Sequence, residues 1–189
     1  MAATKTKTLA VVLAGGQSSR MGQNKAAMFS SKLQNSLLGH CTQLLAQLTD
    51  VDVLVSGENE VGGIADILPQ RGPLSGIHAV LAHIDLFTPI TGFLFVPVDM
   101  PNLTITTLNN LLEFGRTHGC AAYPNNCFLP CYLPNTPHLR QAVEQQMIHT
   151  QNWSIKALLQ QLNGQSFFVD NRAELVNVNE PKAFSLHCQ

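Results

Sequence analysis

The chain alternates between short continuous apolar runs and longer segments in which apolar side chains recur every three or four positions. Short runs are typical of buried strands, and the wider spacing is typical of helices that bury one face. The pattern predicts strands at residues 9–13, 51–56, 93–96, 120–123, 127–133, 166–169 and 175–178. It predicts helices at residues 35–49, 73–84, 136–147 and 154–162, and another that starts at Thr104. This alternation indicates an α/β fold, a three-layer sandwich around a mostly parallel sheet.

Composition narrows the class of protein. The 189 residues, 45% of them apolar, are expected to form one domain preceded by a disordered tail at residues 1–7. Neither a membrane-spanning run nor a signal-peptide core is found, so a cytoplasmic protein is expected. The net charge of −1 gives no electrostatic reason to bind nucleic acid or an anionic membrane. Five scattered cysteines suggest reduced thiols.

A glycine-rich loop follows the first predicted strand. Gly15 and Gly16 allow a sharp turn and close approach of a ligand to backbone amides. Ser18 adds a hydroxyl, and Arg20 and Lys25 add two cations, a combination suited to a triphosphate. The spacing matches neither the P-loop nor the dinucleotide fingerprint. An ordinary strand-to-helix turn with two solvated cations is the alternative.

A single carboxylate follows the apolar run at residues 93–96. Ligands of open α/β sheets bind beyond the carboxyl ends of the strands, where Asp99 is expected to lie. A carboxylate there suits Mg²⁺ bound against phosphate oxygens. The alternative is an aspartate in a turn that Pro101 favours.

Two further segments carry features suited to a ligand. Pro73 predicts a helix start after a flexible turn at Gly72, and free amides at helix starts attract anions. Gly76 in this helix is equally explained by close packing. Asn177 and Asn179 are two residues apart and would face the same side of a strand, where their amides add no negative charge.

These segments resemble the molybdenum cofactor guanylyltransferases, the MobA family of nucleotidyltransferases, over Leu9 to about Phe184. The segment from Leu13 to Lys25 resembles the family's L-A-G-G-x-S-S-R-M-G-x-D-K, and the segment from Asp66 resembles D-x-x-P-x-x-G-P-L-A-G-I. Pro97 to Pro101 resembles P-x-D-M-P, and Asn177 to Pro181 resembles N-x-N-T-P.

The resemblance implies a Rossmann-like fold of the nucleotide-diphospho-sugar transferase type, with one antiparallel strand. It implies Mg²⁺-dependent transfer of GMP from GTP to the molybdopterin-bound molybdenum cofactor, with release of pyrophosphate. Cofactor-delivering and cofactor-accepting proteins are expected partners. The implied catalytic residues are Arg20, Lys25 and Asp99, with Asp99 as the metal ligand. The implied nucleotide contacts are Leu13, Ala14, Gly15, Gly16, Ser18, Lys25, Asp66, Gly72, Gly76 and Asp99, and Asn177 and Asn179 complete the wall.

Three departures from the family pattern keep alternatives open. Asn24 stands where the family has aspartate, Glu180 replaces a threonine, and residues 125–127 replace a glycine and a basic residue. One alternative is a nucleotidyltransferase that uses CTP or a sugar-phosphate acceptor. Another is a non-catalytic nucleotide-binding protein with a degenerate site.

Overall fold

A six-stranded sheet forms the centre of the computed structural model, which describes residues 7–15, 25–57, 62–125 and 127–179, with Phe184 and Cys188. Its strands are β1 (Lys7–Leu13), β4 (Val51–Ser56), β5 (Ile90–Pro97), β6 (Ala122–Pro124), β7 (Cys131–Pro134) and β8 (Gln165–Phe167). A small separate ribbon pairs β2 (Phe29–Ser30) with β3 (Asn35–Ser36). The order in the sheet is β4-β1-β5-β7-β6-β8, and β7 is its one antiparallel strand.

Helices cover both faces of this sheet. They are α1 (Leu37–Leu45), α2 (Pro73–His83), α3 (Ile105–His118), α4 (Pro137–Glu144) and α5 (Ile155–Gln161). A π-helical turn, Gln145–Thr150, continues α4, and 3₁₀ turns occur at Lys25–Ala27 and Arg172–Leu175. Side-chain oxygens of Ser36, Thr104 and Thr136 accept hydrogen bonds from the third amide beyond each and so cap α1, α3 and α4.

The alternation of side chains along β1 creates two cores. Ala10 and Val12 pack with α1 and α3 on one face, while Val11 and Leu13 pack with α2, α4 and α5 on the other. All four are buried, as expected of a strand covered on both sides. The predicted three-layer sandwich with a mostly parallel sheet is confirmed.

Some predicted boundaries are wrong. Leu175–Val178 is not a strand: Asn171 accepts a hydrogen bond from the Ala173 amide and starts the 3₁₀ turn that ends at Leu175. Lys7 does not belong to a disordered tail, because it begins β1 and its ammonium lies 2.8 Å from an Asp52 carboxylate oxygen. The rest of that predicted tail lies outside the described residues. Within the described chain, no helix is long and apolar enough to cross a membrane.

Candidate functional site

The carboxyl ends of three adjacent parallel strands meet at one edge of the sheet. Leu13, the last residue of β1, pairs with Ser56 of β4 on one side and with Pro97 of β5 on the other. The Val98 amide donates to the Leu13 carbonyl at 3.2 Å. The glycine loop after β1 and the carboxylate of Asp99 after β5 therefore leave the sheet side by side.

The first two amides after β1 donate hydrogen bonds to the neighbouring strand β4. The Ala14 amide donates to the Ser56 carbonyl at 2.8 Å, and the Gly15 amide donates to the same oxygen at 3.1 Å. An amide held in this way is not available to a phosphate. The amides predicted to bind phosphate therefore belong to the loop from Gly16 onward.

Asp66 lies beside this loop because its segment pairs with the end of β4. The Ile64 amide donates to the Val55 carbonyl, and the Gly57 amide donates to the Ile64 carbonyl, both at 2.9 Å. A Cβ placed on Gly15 would lie 3.7 and 3.8 Å from the two Asp66 carboxylate oxygens. Asp66 therefore lies beside the glycine loop, and its predicted contact with the nucleotide stays a prediction.

The start of α2 is held by a buried hydroxyl. Ser75 Oγ donates to the Leu68 carbonyl at 2.8 Å and accepts from the Arg71 amide at 3.1 Å. Gly72 has φ of +63°, a conformation that glycine adopts without strain. The exposed backbone of Gly72 is thereby fixed close to the carboxyl edge of the sheet.

Gly76 allows α2 to approach the strands closely. A Cβ at this position would lie 2.6 Å from Ser56 Oγ and 2.9 Å from Leu13 Cδ2. The structure therefore gives Gly76 a packing role, and its predicted contact with a nucleotide stays a prediction.

On the other side of β1, Asp99 is joined to the C-terminal segment. The Val178 amide donates to the Asp99 backbone carbonyl at 2.8 Å. Val178 is buried, whereas Asn177 and Asn179 on either side of it are exposed. Although this segment is not a strand, the hydrogen bond brings the backbone between the two asparagines to Asp99, and their predicted place in the site stays a prediction.

Two thiols lie near enough to Asp99 for its negative charge to affect them. Burial, with a smaller contribution from Asp99, raises the pKa of Cys41 to about 12. Burial also raises the pKa of Cys127, and Asp99 again adds to the shift. Both thiols stay protonated near neutral pH, so neither adds a charged sulfur ligand beside Asp99, whose carboxylate supplies the kind of oxygen that a hard cation prefers.

The residues described at this edge are compatible with a divalent cation that is shared with phosphate oxygens. Within the described residues, no group of three or more His, Cys, Asp or Glu side chains is placed to hold an ion. Mg²⁺ is commonly bound through one or two carboxylates together with phosphate oxygens and water, which a site built on Asp99 alone can satisfy.

Several predicted residues are not described, wholly or in part. Gly16, Ser18 and Arg20 lie outside the described residues. The main chain of Lys25 starts a 3₁₀ turn, and the next residue, Ala26, is buried in the core that contains α1. Their proposed phosphate contacts stay predictions.

Sequence reasoning missed the part played by the end of β4. Ser56 supplies the carbonyl that holds the start of the loop, and a Cβ on Gly57 would lie 3.3 Å from the Ala14 carbonyl carbon and the Gly15 nitrogen. The signal was a glycine directly after a predicted strand, since such a glycine often marks close backbone approach.

The matching family model and a relative of similar length indicate the same family. The model for the MobA-like NTP transferase domain matches residues 10–166. The molybdenum cofactor guanylyltransferase of Xanthomonas euvesicatoria pv. vesicatoria (strain 85-10) is 38% identical over 179 residues, which cover 93% of this chain and 91% of that protein.

Solved structures share the fold at lower identity. Molybdopterin-guanine dinucleotide biosynthesis protein A from Archaeoglobus fulgidus matches with a TM-score of 0.71 at 17% identity, over 96% of this chain and 97% of that one. The 2-C-methyl-D-erythritol 4-phosphate cytidylyltransferase from Thermus thermophilus matches with a TM-score of 0.67 at 14% identity, over 94% and 95%. The shared fold therefore does not by itself indicate which nucleotide base is bound.

Proposed function

Because the chain belongs to the family of MobA-like NTP transferase domains, we propose that it transfers GMP from GTP to the molybdopterin-bound molybdenum cofactor and releases pyrophosphate. The observation that supports this proposal is that the glycine loop and Asp99 leave the sheet side by side at Leu13, so the turn and the carboxylate proposed to bind the nucleotide and its metal lie at one edge. The relative with 38% identity over nearly the whole chain is named for this activity.

The proposed reaction does not depend on general acid–base catalysis by the protein. A phosphate acceptor is already ionised near neutral pH, so no general base is required. Catalysis depends on alignment of the acceptor with the α-phosphate and on neutralisation of charge. Arg20 and Lys25 are proposed to stabilise the charge on the triphosphate, and Asn177 and Asn179 are proposed to hold its oxygens without adding repulsion.

Asp99 is the residue that would hold Mg²⁺. When bound, the ion supplies positive charge to the phosphate oxygens. The hydrogen bond from the Val178 amide to the Asp99 carbonyl holds the backbone of this residue in the turn that follows β5.

Asp66 and the start of α2 are proposed to bind the base. A carboxylate accepts hydrogen bonds, and guanine offers adjacent N–H donors on its Watson–Crick edge. Asp66 lies beside Gly15 and is carried by a segment paired with β4, a rigid support for such a contact. The neighbouring exposed turn at Gly72 leaves room for a planar ring.

Pyrophosphate release tests the reaction. The protein is incubated with GTP, Mg²⁺ and molybdopterin, and pyrophosphate is measured for the wild type, Asp99→Asn and the matched control Asp52→Asn. Asp52 is exposed and pairs with Lys7 at the start of β1, on the opposite edge. We expect Asp99→Asn to lose activity at least about 100-fold, the scale of one lost electrostatic group, and the control to keep it.

Thermal-shift measurements with GTP, CTP, ATP and UTP test which base the protein prefers. The largest stabilisation is expected with GTP, and a larger shift with CTP would overturn the choice of guanine. Stabilisation by GTP without pyrophosphate release would instead favour the non-catalytic alternative, which the departure at Asn24 supports.

A further inference from the structure

We propose that a strip of aromatic and cationic side chains next to the candidate site binds the acceptor, a planar heterocycle that carries a phosphate. We call it the aromatic–cationic strip, and its members are Arg71, Trp153, Lys156, Phe128 and Tyr123. The proposal rests on the proposed function, because the chemistry of the acceptor is taken from it.

The strip is continuous across four chain segments. The Arg71 guanidinium lies 5.2 Å from the Trp153 ring centroid, and Lys156 Nζ lies 5.9 Å from the Phe128 ring centroid. The ring centroids of Phe128 and Tyr123 are 5.8 Å apart. Trp153 and Lys156 flank the N-cap of α5, three residues apart, so the two cation–ring pairs are neighbours.

Two members of the strip, Arg71 and Phe128, adjoin residues already assigned to the site. Arg71 directly precedes Gly72 at the start of α2. Phe128 directly follows Cys127, whose thiol is close enough to Asp99 to be affected by its charge. An acceptor bound along the strip would therefore lie between the base-binding turn and the metal-binding carboxylate, where in-line attack on the α-phosphate requires it.

The antiparallel strand explains how Phe128 reaches this position. Cys131, the first residue of β7, pairs with Phe95 near the end of β5, so the preceding segment lies at the carboxyl edge. Cys127 packs on the core that contains α1, while Leu129 packs on the core that contains α2. Phe128 therefore sits where the chain crosses the edge of the sheet.

Three members of the strip, Phe128, Trp153 and Lys156, are exposed, whereas Arg71 and Tyr123 are half-buried. Trp153 and Phe128 are each 38% exposed. In the described part of the chain, neither Arg71 nor Lys156 forms an ion pair with a carboxylate. Aromatic faces stack on planar heterocycles, and neighbouring cations bind phosphate oxygens. A pterin phosphate offers both partners, a heterocyclic ring system and phosphate oxygens.

Trp153 provides a direct measure of occupancy, because it is the one tryptophan of the sequence. Molybdopterin is titrated into the full-length protein without GTP, and intrinsic fluorescence is followed. Stacking beside the indole is expected to quench the emission saturably.

Two variants test the strip in turnover, and each has a matched control. They are Phe128→Leu and Lys156→Gln, with Phe87→Leu and Lys7→Gln as controls. Phe87 is 90% exposed and Lys7 begins β1, both at the opposite edge of the sheet. We expect the KM for molybdopterin to rise about tenfold in the strip variants, the scale of one lost stacking contact, while kcat and the GTP-induced thermal shift stay unchanged.

The outcomes separate this proposal from the proposed function. Turnover with no quenching and with an unchanged KM in both strip variants would overturn the strip and leave the reaction intact. Saturable quenching and a GTP-induced shift without pyrophosphate release would support the strip while the reaction fails. Quenching by a cofactor-carrying protein but not by molybdopterin would overturn the strip as an acceptor site and assign it to protein docking.

Discussion

Replacement of Gly76 by alanine is expected to displace the start of α2 and weaken nucleotide binding. The new Cβ would lie 2.6 Å from Ser56 Oγ and 2.9 Å from Leu13 Cδ2. Relief of the closer contact to 3.4 Å, the lower end of ordinary van der Waals contact, requires movement of about 0.8 Å. Because Gly72 begins the same helix, the proposed base-binding turn moves with it.

Two opposing terms set the size of the effect on stability. Over-packing of a tight interior costs about 1–3 kcal/mol. Alanine in a helix gains up to about 1 kcal/mol over glycine. The net loss is expected to be about 1–2 kcal/mol, or a fall in Tm of roughly 2–8 °C for a chain of this length. A shift approaching 1 Å at the turn is expected to lower kcat/KM for GTP on the order of tenfold.

A double-mutant cycle isolates the contact. Ser56 Oγ is buried and has no hydrogen-bond partner among the described residues, so Ser56→Ala alone should change stability little. In the double variant, Leu13 Cδ2 at 2.9 Å is left as the close neighbour of the new Cβ. We therefore expect the second substitution to recover on the order of 1 kcal/mol, measured by urea unfolding.

Two results would refute this reasoning. One is a Gly76→Ala variant with the wild-type Tm and the wild-type kcat/KM for GTP, which would show that the helix is not held by this contact. The other is a double variant whose loss of stability equals the sum of the single losses, which would show that Ser56 and position 76 do not interact.

Further substitutions test the fold and the site separately. Gly115→Ala is expected to lower the free energy of unfolding by about 2–3 kcal/mol, because the new Cβ would overlap the buried ring of Tyr132. The KM for GTP is expected to stay unchanged. Wild-type stability in urea would contradict this prediction. Lys25→Ala is expected to lower turnover at least about tenfold with little change in Tm, because the side chain is proposed to stabilise charge in the transition state. An unchanged rate would contradict that role. Burial raises the pKa of Cys131 above its ordinary value of 9.0, so its neutral thiol favours the folded state; that contribution is complete below pH 9.0 and is lost as pH rises further. Cys131→Ala should therefore weaken the alkaline loss of stability, and an equally steep loss would count against this origin.

Elements with a strong local signal could be predicted from the sequence. The five apolar residues ending at Leu13, the proline at the start of α2 and the capping Thr104 each fix an element through neighbours in the chain. The predicted helix at residues 35–49 is shorter in the structure, because Ser36 caps it and it ends at Leu45. An apolar spacing shows which face is buried but does not show where the hydrogen bonds stop.

The site could be predicted only in part. Gly15 and Asp99 each follow a predicted strand, so the general rule for parallel sheets brings them to one edge. The Gly15 amide hydrogen-bonds to the Ser56 carbonyl and is therefore not available to a phosphate. This bond depends on the register between β1 and β4, which composition and spacing do not reveal. The approach of Lys156 to Phe128 depends on the same kind of distant pairing, since only the fold brings α5 to the segment before β7.

The reversal of β7 divides the sheet into two halves, to which the proposals above give different roles. The neighbours β4, β1 and β5 form a continuous parallel unit that carries the residues proposed to bind the nucleotide, whereas β7, β6 and β8 support the segment that ends at Cys131. Lengthening or shortening the chain between Asn125 and Pro130 leaves the register of the first unit untouched. On the proposed assignment, a change of co-substrate therefore requires changes in this segment and not in the strands that carry the nucleotide residues.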